Sequence, residues 1–427
     1  MREVGIDVVA AKMRADWNAR AREDAHYYVA FGAREQDEAA FEATAAEAVR
    51  AIESELKRFG PTADTRTMRA LEIGCGPGRL MKPLSRRFAE IYGIDISDEM
   101  ICLARERLRE NPNAHVEATS GATLDRFADE SIDFIYSYAV FQHIPSRDVV
   151  LSYLREVRRV LKPGGVFRAQ FNGLPHAQRP DTWSGVFFSA DELKAFTREN
   201  GFQLFALEGI DTQYLWTTWV KKAAPAPSGR APIIRRITNA LTSEMLVPAG
   251  GRYAVATIWV TDLPPEVDLN VLEVRFDGVA ANPYYIGPEL RDNLRQMNVR
   301  LPRGLRTGLV PVETCGTTNW IRVVPAPPMA PRIIAVTDGI NLVERNRCTT
   351  GYVKVVLEEI ANPDAVAVAV DSHPVLNTDI MCTDPVPPRY ELNFALPEDV
   401  GPGGHELQLS IGGRSLMPHP IVVAERT

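Results

Sequence analysis

The stretch Ala70-Leu-Glu-Ile-Gly-Cys-Gly-Pro-Gly-Arg79 decides the fold of this 427-residue chain. It begins as a short apolar run, continues with a glycine at every second position, and leads into a helical pattern. Glycines in such a loop let the backbone turn tightly and approach a ligand closely. Glu72 stands inside the apolar run. A second apolar run ends in Asp95, whose carboxylate can accept hydrogen bonds from two neighbouring hydroxyls.

Around this loop, apolar runs alternate with helical patterns from residue 68 to residue 222. The predicted strands are residues 69–73, 91–94, 115–118, 132–137 and 166–171. Alternation of this kind implies crossover connections and a parallel sheet with helices on both faces. Ligands of such open sheets bind outside the carboxyl ends of the strands. The candidate site segments are therefore residues 74–78, 95, 120–122, 138–143 and 172–176.

The ordered motifs of this region resemble those of the class I S-adenosylmethionine-dependent methyltransferases, in the small-molecule, type 11-like group. Besides the glycine loop, the matching motifs are Ile94-Asp-Ile-Ser-Asp-Glu-Met100, Phe127-Ala-Asp-Glu-Ser-Ile-Asp-Phe-Ile135, Phe141-Gln-His-Ile144 and Leu161-Lys-Pro-Gly-Gly165. The resemblance covers roughly residues 65–222. It implies a Rossmann-like α/β domain with a mostly parallel seven-stranded sheet. It also implies S-adenosyl-L-methionine as the cofactor.

The resemblance further implies which residues hold the cofactor. Glu72 would orient the glycine loop through backbone N–H groups or water, Asp95 would hold the ribose diol, and Ile96 and Met100 would line the adenine. Many relatives have an acidic residue where this chain has Gly121, so the adenine amino group must bond a backbone carbonyl, the neighbouring serine or water. The full set of expected cofactor contacts is Glu72, Gly74, Cys75, Gly76, Gly78, Asp95, Ile96, Met100, Ser120, Gly121, Ala122, Tyr138 and Tyr28.

Methyl transfer needs an in-line approach of the acceptor, and a general base adds roughly 10²–10⁴-fold when an acceptor proton must leave. His143 is the best candidate for a catalytic base because it follows the fourth predicted strand. Alternatively, it caps the next helix or bonds a backbone carbonyl. For His176 an ordinary loop position is the preferred interpretation, and for Cys75 a small residue in a tight turn. No Cys/His cluster has the spacing of a zinc site, so we expect no metal.

The first 60 residues are rich in Ala, Glu and Arg, and residues 37–56 have apolar positions at steps of three and four. This pattern predicts an amphipathic helix. In the resembling family, N-terminal helices often cover the cofactor. Residues 1–60, with Trp17 and Tyr28, are therefore expected to form a helical lid over the methyltransferase domain at residues 61–222. The basic stretch formed by Arg79, Lys82, Arg86 and Arg87 is interpreted as a solvated helix face and not as an anion-binding site.

After a Pro/Ala/Gly-rich linker at residues 223–232, the pattern changes to short alternating strands. Met297-Asn-Val-Arg-Leu-Pro302 matches Leu392-Asn-Phe-Ala-Leu-Pro397, and Ile237-Thr-Asn239 matches Val336-Thr-Asp338. These ordered matches predict one β module used twice, at residues 233–326 and 331–427. Each copy resembles an immunoglobulin-like or TIG-like sandwich. The linker also predicts that a fragment ending at residue 222 folds and binds cofactor.

Three roles for the β repeats stay open: binding of a polymeric or carbohydrate acceptor, formation of a homodimer or another partner contact, and spacing. Two function classes stay open as well. The first is a methyltransferase acting on an O or N atom of a small molecule or glycan. The second is a non-catalytic, cofactor-binding scaffold whose repeats bind a partner or polysaccharide. The intact Glu72, glycines and Asp95 favour activity.

Composition limits the partners and the compartment. The net charge is −7, and the fourth predicted strand ends in Tyr136-Ser-Tyr-Ala-Val-Phe141 instead of the Asn/Asp-Pro-Pro-aromatic motif found in methyltransferases of nucleic-acid bases. Both features argue against a nucleic-acid substrate. No run of 18 apolar residues exists, so we expect no membrane span. Five cysteines, an odd number, argue against a disulfide framework and for a cytoplasmic protein.

Overall fold

The computed structural model describes residues 5–30, 34–175, 180–223, 230–342, 344–385 and 387–425. His176 and most of the predicted linker lie outside these ranges. The chain divides into two compact units. The first contains Met1–Glu23 and Glu42–Ala326, and the second contains Asp24–Phe41 and Pro327–Thr427. No helix in the described ranges combines the length and the apolar character that crossing a membrane requires.

The helices are α1 (Ile6–Ala30), α2 (Glu38–Ala43), α3 (Ala46–Leu56), α4 (Met81–Leu84), α5 (Asp98–Arg107), α6 (Arg147–Val160) and α7 (Ala190–Glu199). Helix α1 is interrupted at Asp24, whose φ is −168° and ψ is 87°. The boundary between the two units falls at this interruption. The single helix predicted over residues 37–56 is two helices, α2 and α3, with a turn between them. Serine side chains cap α5, α6 and α7 at Ser97, Ser146 and Ser189.

The methyltransferase-like segment contains β1 (Arg69–Ile73), β2 (Glu90–Asp95), β3 (Ala114–Ala118), β4 (Ile132–Ser137), β5 (Leu161–Phe171), β6 (Phe202–Glu208) and β7 (Leu215–Lys221). All five predicted strands are present, and β5 begins earlier than predicted, at Leu161. The spatial order is β3-β2-β1-β4-β5-β7-β6. Strands β1 to β5 are parallel, and β7 is antiparallel to β5 and to β6. The strand order reverses between β1 and β4, which is where open α/β sheets bind ligands.

The first predicted repeat contains β8 (Ile233–Asn239), β9 (Leu246–Pro248), β10 (Val255–Thr261), β11 (Val274–Phe276), β12 (Val279–Ala280), β13 (Asn282–Ile286), β14 (Leu294–Arg300), β15 (Gly308–Thr314) and β16 (Thr317–Val324). Tyr285 on β13 pairs with Ala206 on β6, so the sheet continues as β6-β13-β14-β10-β8. The sheet therefore has eleven described strands, not the seven predicted. The physical reason is that β6 offers the unpaired N–H and C=O groups of an edge strand, and β13 occupies that edge.

The second repeat contains β17 (Arg332–Asp338), β18 (Arg347–Cys348), β19 (Tyr352–Glu358), β20 (Val366–Val370), β21 (His373–Val375), β22 (Asp379–Asp384), β23 (Arg389–Ala395), β24 (Gly403–Ile411), β25 (Arg414–Ser415) and β26 (His419–Val423). One sheet has the order β8-β10-β14-β13 in the first repeat and β17-β19-β23-β22 in the second. The other sheet has the order β9-β16-β15-β11-β12 in the first repeat and β18-β26-β24-β20-β21 in the second. The order of the strands is therefore the same in both segments.

The two units have different apolar cores. In the first, one continuous cluster of buried side chains runs from the parallel sheet to the strands β8–β16. Trp219 is fully buried in it, with ring centroids 5.3 Å from those of Phe167 and Phe202. In the second unit, a separate cluster is formed by β17–β26. The segment predicted as the first repeat thus shares its core with the methyltransferase-like segment.

Candidate active site

The glycine-rich loop lies between β1 and α4, at the carboxyl end of the parallel sheet. The backbone N–H groups of Gly74 and Cys75 donate to the carbonyl of Ile94 at 2.8 and 3.0 Å. Gly74 has a φ of 74°, and a Cβ atom there would lie 2.3 Å from Cγ2 of Val140. Only glycine meets both conditions, because other residues are strained at positive φ and would collide with the β4 loop. The loop is consequently packed closely against the end of β4, and Cys75 to Gly78 are buried.

Asp95, at the end of β2, ties this loop to the next helix. Its Oδ2 accepts a hydrogen bond from the Gly76 N–H at 2.8 Å, and its Oδ1 accepts one from the Ser97 N–H at 2.8 Å. Burial raises the pKa of Asp95, and these backbone hydrogen bonds act in the opposite direction. A carboxylate offers about four lone-pair positions, so both oxygens can still accept from a diol. The carboxylate is therefore both a support for the loop and a polar group that fits a ribose.

Glu72 makes a different contact from the one expected of it. Among the described residues, its Oε2 accepts a hydrogen bond from the hydroxyl of Tyr136 at 2.8 Å. The N–H groups of the loop are held instead by Ile94 and Asp95. Burial raises the pKa of Glu72 to about 8, although Tyr136 and Arg79 act against this rise. Glu72 is consequently mostly neutral at pH 7, while Asp95 carries the polar contacts to the loop.

The part of α1 that belongs to the first unit covers this edge of the sheet. Arg14 donates to both carboxylate oxygens of Asp98 at 2.8 and 2.9 Å and to the carbonyl of Thr119 at 2.7 Å. The hydroxyl of Ser97 donates to Oδ1 of Asn18 at 2.7 Å. These contacts connect the helix to the start of α5 and to the loop after β3. Sequence reasoning expected a lid, but it did not identify the residues that fasten it.

The same helix explains why the chain has glycine at position 121. Gly121 has a φ of 97°. A Cβ atom there would lie 2.4 Å from Cδ1 of Ile96 and 3.4 Å from Cβ of Ala10 on α1. A side chain at this position would be strained at this φ and would have to displace the end of the Ile96 side chain. An acidic residue is therefore disfavoured here.

The other expected cofactor residues occupy different surroundings. Met100 and Ala122 are buried beside Ile96, and the Ser120 hydroxyl lies 3.1 Å from that of Thr123. Burial raises the pKa of the Cys75 thiol far above its usual range, which fits a filler of a tight turn and not a nucleophile. Tyr28 belongs to the second unit, where its ring lies 5.3 Å from that of Tyr27. Its role in cofactor binding stays a prediction.

Aromatic and guanidinium groups alternate along the carboxyl ends of β4 and β5. The ring of Tyr138 lies 5.2 Å from that of Trp216. Arg79 stacks on Tyr138 at 5.6 Å, and Arg168 stacks on Trp216 at 4.9 Å. The interpretation of Arg79 as part of a solvated helix face is wrong, because only 6% of its surface is exposed. Its guanidinium also donates to the carbonyl of Thr44 at 2.9 Å, so the residue joins the site to the turn between α2 and α3.

His143 is buried in an aromatic surrounding after β4. Its Nδ1 lies 2.7 Å from the carbonyl oxygen of Trp183, and its Nε2 lies 3.1 Å from Nε2 of Gln142. The contact with a carbonyl was one of the alternatives to catalysis, and the two roles are compatible. Burial lowers the pKa of His143 to about 4, so the imidazole is neutral at pH 7. A neutral imidazole retains one nitrogen that can accept a proton.

The loop before α7 carries Trp183, which is 41% exposed. The carboxylate of Asp181 accepts from the backbone N–H of Trp183 at 2.8 Å and fixes the turn. On the lid side, Arg20 places its guanidinium over the rings of both Trp17 and Trp183, at 4.7 and 5.3 Å. Among the described residues, no group of three or more His, Cys, Asp or Glu side chains could hold a metal ion.

Comparisons with known proteins agree with this geometry. Residues 71–169 match the family described as a methyltransferase domain. This part of the chain is similar to methyltransferase domains. Phosphoethanolamine N-methyltransferase 2 of Caenorhabditis elegans is 32% identical over 128 residues, 30% of this chain and 28% of that protein. Ubiquinone biosynthesis O-methyltransferase of Roseobacter denitrificans is 29% identical over 178 residues, 36% of this chain and 66% of that protein.

The matched part of the chain spans less than two thirds of each of these curated relatives. Among solved structures, a SAM-dependent methyltransferase from Aquifex aeolicus is 22% identical, with a TM-score of 0.31. The match covers 39% of this chain and 87% of that one. The match to a methyltransferase domain agrees with the predicted cofactor, S-adenosylmethionine. The remaining lone pairs of the Asp95 carboxylate fit the ribose of this cofactor.

Proposed function

We propose that this chain transfers the methyl group of S-adenosylmethionine to an O or N atom of a small molecule or glycan. The observation that carries the proposal is the position of Asp95. Its carboxylate supports the glycine loop and the start of α5, and the same edge of the sheet is covered by α1. A scaffold without catalysis needs no such cover, whereas methyl transfer needs a site that excludes water.

In this proposal, different residues of the chain bind different parts of the cofactor. Asp95 accepts hydrogen bonds from the ribose diol, and Ile96 and Met100 line the adenine. The backbone of residues 74–78 carries the methionine part, and Glu72 with Tyr136 supports the loop from below. The adenine edge faces residues 120–122, where backbone groups replace the acidic side chain of many relatives. When bound, the cofactor supplies an electrophilic methyl group.

The acceptor is proposed to lie beside Tyr138 and His143, under Trp17 and Trp183. These groups would orient the acceptor for in-line approach, and orientation can account for about 7–11 kcal/mol of such a barrier. The printed names of the two relatives include an N- and an O-methyltransferase, which supports a heteroatom acceptor. His143 is proposed as the group that takes the acceptor's proton.

Calorimetric titration of the full chain with S-adenosylmethionine tests the proposal. We expect binding to a single site, and loss of at least tenfold in affinity in Asp95→Ala. Asp379→Ala is the matched control, because Asp379 is an exposed aspartate in the second unit. Transfer of a tritium-labelled methyl group to pools of hydroxyl- and amine-bearing acceptors then tests catalysis. No binding by the wild type, or unchanged binding by Asp95→Ala, would refute the proposal. Binding without transfer to any pool would favour the scaffold alternative.

A further inference from the structure

Two glutamines connect His143 to the backbone at the end of β4. The backbone N–H of Ala139 lies 3.1 Å from Oε1 of Gln170, and Nε2 of Gln170 lies 2.7 Å from Oε1 of Gln142. Nε2 of Gln142 lies 3.1 Å from Nε2 of His143, and Nδ1 of His143 lies 2.7 Å from the carbonyl oxygen of Trp183. Four hydrogen bonds therefore form one unbroken chain from a backbone N–H to a backbone carbonyl.

The direction of every bond in this chain is fixed by its two ends. A backbone N–H can only donate, so the group of Gln170 that faces Ala139 must be its carbonyl oxygen. The amide nitrogen of Gln170 then faces Gln142 and donates to its oxygen. Gln142 in turn presents its own NH₂ group to His143. At the other end, the carbonyl of Trp183 can only accept, so Nδ1 of His143 carries the proton.

We call this series of hydrogen bonds, from Ala139 through Gln170, Gln142 and His143 to Trp183, the relay. The residues around it hold it in place. Gln170 is 1% exposed, and Ala139 has a φ of 56°, a left-handed conformation that costs free energy outside glycine. A Cβ atom on Gly185 would lie 2.7 Å from the carbonyl oxygen of Gln142, so this loop packs directly against the segment before His143. Because the backbone at both ends is constrained, neither amide is free to turn over without losing a partner.

We propose that Gln170 and Gln142 are positioning residues that keep His143 in the tautomer with a proton on Nδ1 and an accepting lone pair on Nε2. This inference rests on the proposed function and narrows it. Before the methyl acceptor binds, the lone pair of Nε2 accepts a hydrogen bond from the Gln142 amide. A methyl acceptor that takes the place of this amide must therefore donate an O–H or N–H group of its own. A substrate that is methylated on carbon offers no such donor.

The proton and charge balance follows from this assignment. Nε2 of His143 takes the acceptor's O–H or N–H proton, and the heteroatom uses the electron pair so freed to bond the methyl carbon. Sulfur keeps the electron pair of the carbon–sulfur bond that breaks, and one positive charge passes from the sulfonium to the imidazolium. Nδ1 stays bonded to the Trp183 carbonyl throughout, so the ring does not turn during the transfer.

Nitrogen NMR of the full chain, labelled with ¹⁵N in its histidines, tests the relay without any acceptor. In the wild type at pH 7, we expect His143 to show a protonated Nδ1 and a pyridine-type Nε2. The signal is assigned by its loss in His143→Asn. Gln170→Leu breaks the relay at its centre, because Gln142 loses the amide that fixes its direction. Gln142 can then present either its NH₂ group or its oxygen to His143.

In Gln170→Leu we therefore expect a mixture of the two neutral tautomers of His143 at pH 7. Gln203→Leu, which alters a glutamine that donates to the carbonyl of Pro265, is the matched control and should leave the wild-type signal unchanged. A wild-type proton on Nε2, or an unchanged His143 signal in Gln170→Leu, would overturn the proposal. Failure of cofactor binding would refute the proposed function instead, so the two failures are distinguishable.

Discussion

The two β repeats share one strand order but are used differently. In the first repeat, β13 pairs with β6 and extends the sheet of the methyltransferase domain. In the second, the corresponding β22 ends its sheet among the described strands. The sequences of these two strands differ accordingly. Strand β13 reads Asn282-Pro-Tyr-Tyr-Ile286, whereas β22 reads Asp379-Ile-Met-Cys-Thr-Asp384. Charged side chains on an edge strand discourage pairing, and aromatic side chains favour it.

Buried polar contacts reinforce the join in the first repeat. Oδ2 of Asp268 accepts from the backbone N–H of Leu204 on β6 at 2.9 Å. The backbone N–H of Leu269 donates to the carbonyl of Leu204 at 2.8 Å. Arg58, which follows α3, donates to the carbonyl of Ile286 on β13 at 2.8 Å. The first predicted repeat thus shares the core of the methyltransferase-like segment, whereas the second has a core of its own.

The largest effect is expected from two truncations. The linker pattern predicts that a fragment ending at Lys222 folds, whereas the shared core and the β6–β13 pairing lead us to expect the opposite. That fragment would expose the β6 edge and the apolar surface that β10 and β14 cover. We expect it to be insoluble, and a fragment ending at Ala326 to keep its fold and its cofactor binding. Circular dichroism and calorimetry check both. A soluble, cofactor-binding fragment ending at Lys222 would contradict the account.

A second prediction concerns the pH dependence of the free energy of unfolding, which should differ between the two units because Glu72 lies in the first. The pKa of Glu72 is raised to about 8 in the folded state, from an ordinary value of 4.5. Between these values the folded state binds more protons than the unfolded state, so stability falls as the pH rises, by at most about 1.4 kcal/mol per pH unit. Glu72→Gln should remove this loss in the first unit and leave the second unit unchanged. Denaturant unfolding at several pH values measures it, and equal slopes in both proteins would count against the buried, neutral Glu72.

Matched turns in the two repeats provide the third prediction. Asn239 and Asp338 occupy equivalent positions, and the side-chain Oδ1 of each accepts two backbone N–H bonds from the turn that follows. Replacing either by Ala leaves those donors unpaired and should cost about 1–3 kcal/mol. Differential scanning calorimetry should show Asn239→Ala lowering only the transition of the first unit, and Asp338→Ala only that of the second. A common shift of both transitions would mean that the two cores unfold together.

The smallest effect is expected at the surface of the lid. Arg22 pairs with Glu99 at 2.7 Å, and its side chain is 64% exposed. Exposed ion pairs contribute about 0–1 kcal/mol, so Arg22→Ala should change cofactor affinity by less than about fivefold. Arg14→Ala should weaken binding more, because Arg14 also bonds the carbonyl of Thr119. Calorimetry on both variants checks the order. A larger loss in Arg22→Ala than in Arg14→Ala would show that the lid is fastened elsewhere.

Sequence patterns predicted the features that depend on local chemistry. The strands β1 to β5, the glycine loop and the acidic end of β2 follow from apolar runs, from glycine and from one carboxylate. The duplication was predicted as well, because Ile237-Thr-Asn239 and Val336-Thr-Asp338 repeat the same turn chemistry. The resemblance to methyltransferases then supplied the cofactor. The roles of the repeats, the cytoplasmic location and the individual site roles remain predictions.

Features that depend on distant pairs could not be predicted. The sequence of β6 does not indicate that β13 is its neighbour, because many unrelated segments could pair with an edge strand. The interruption of α1 at Asp24 has no glycine or proline to signal it. Arg79 was misjudged because a charged residue beside a helical pattern is usually solvated, and its bond to the carbonyl of Thr44 joins segments that are distant in sequence. The relay through Gln142 and Gln170 joins residues from two separate strands' ends.

Hydrogen–deuterium exchange of the full chain, with and without S-adenosylhomocysteine, tests the central claim most directly. The account predicts new protection in residues 6–23 of α1, in the glycine loop at 74–78 and in residues 120–122. It predicts no protection in β17–β26, the strands of the second repeat. Unchanged exchange in the glycine loop, or protection confined to the second repeat, would contradict a cofactor site built from Asp95, the glycine loop and the lid helix.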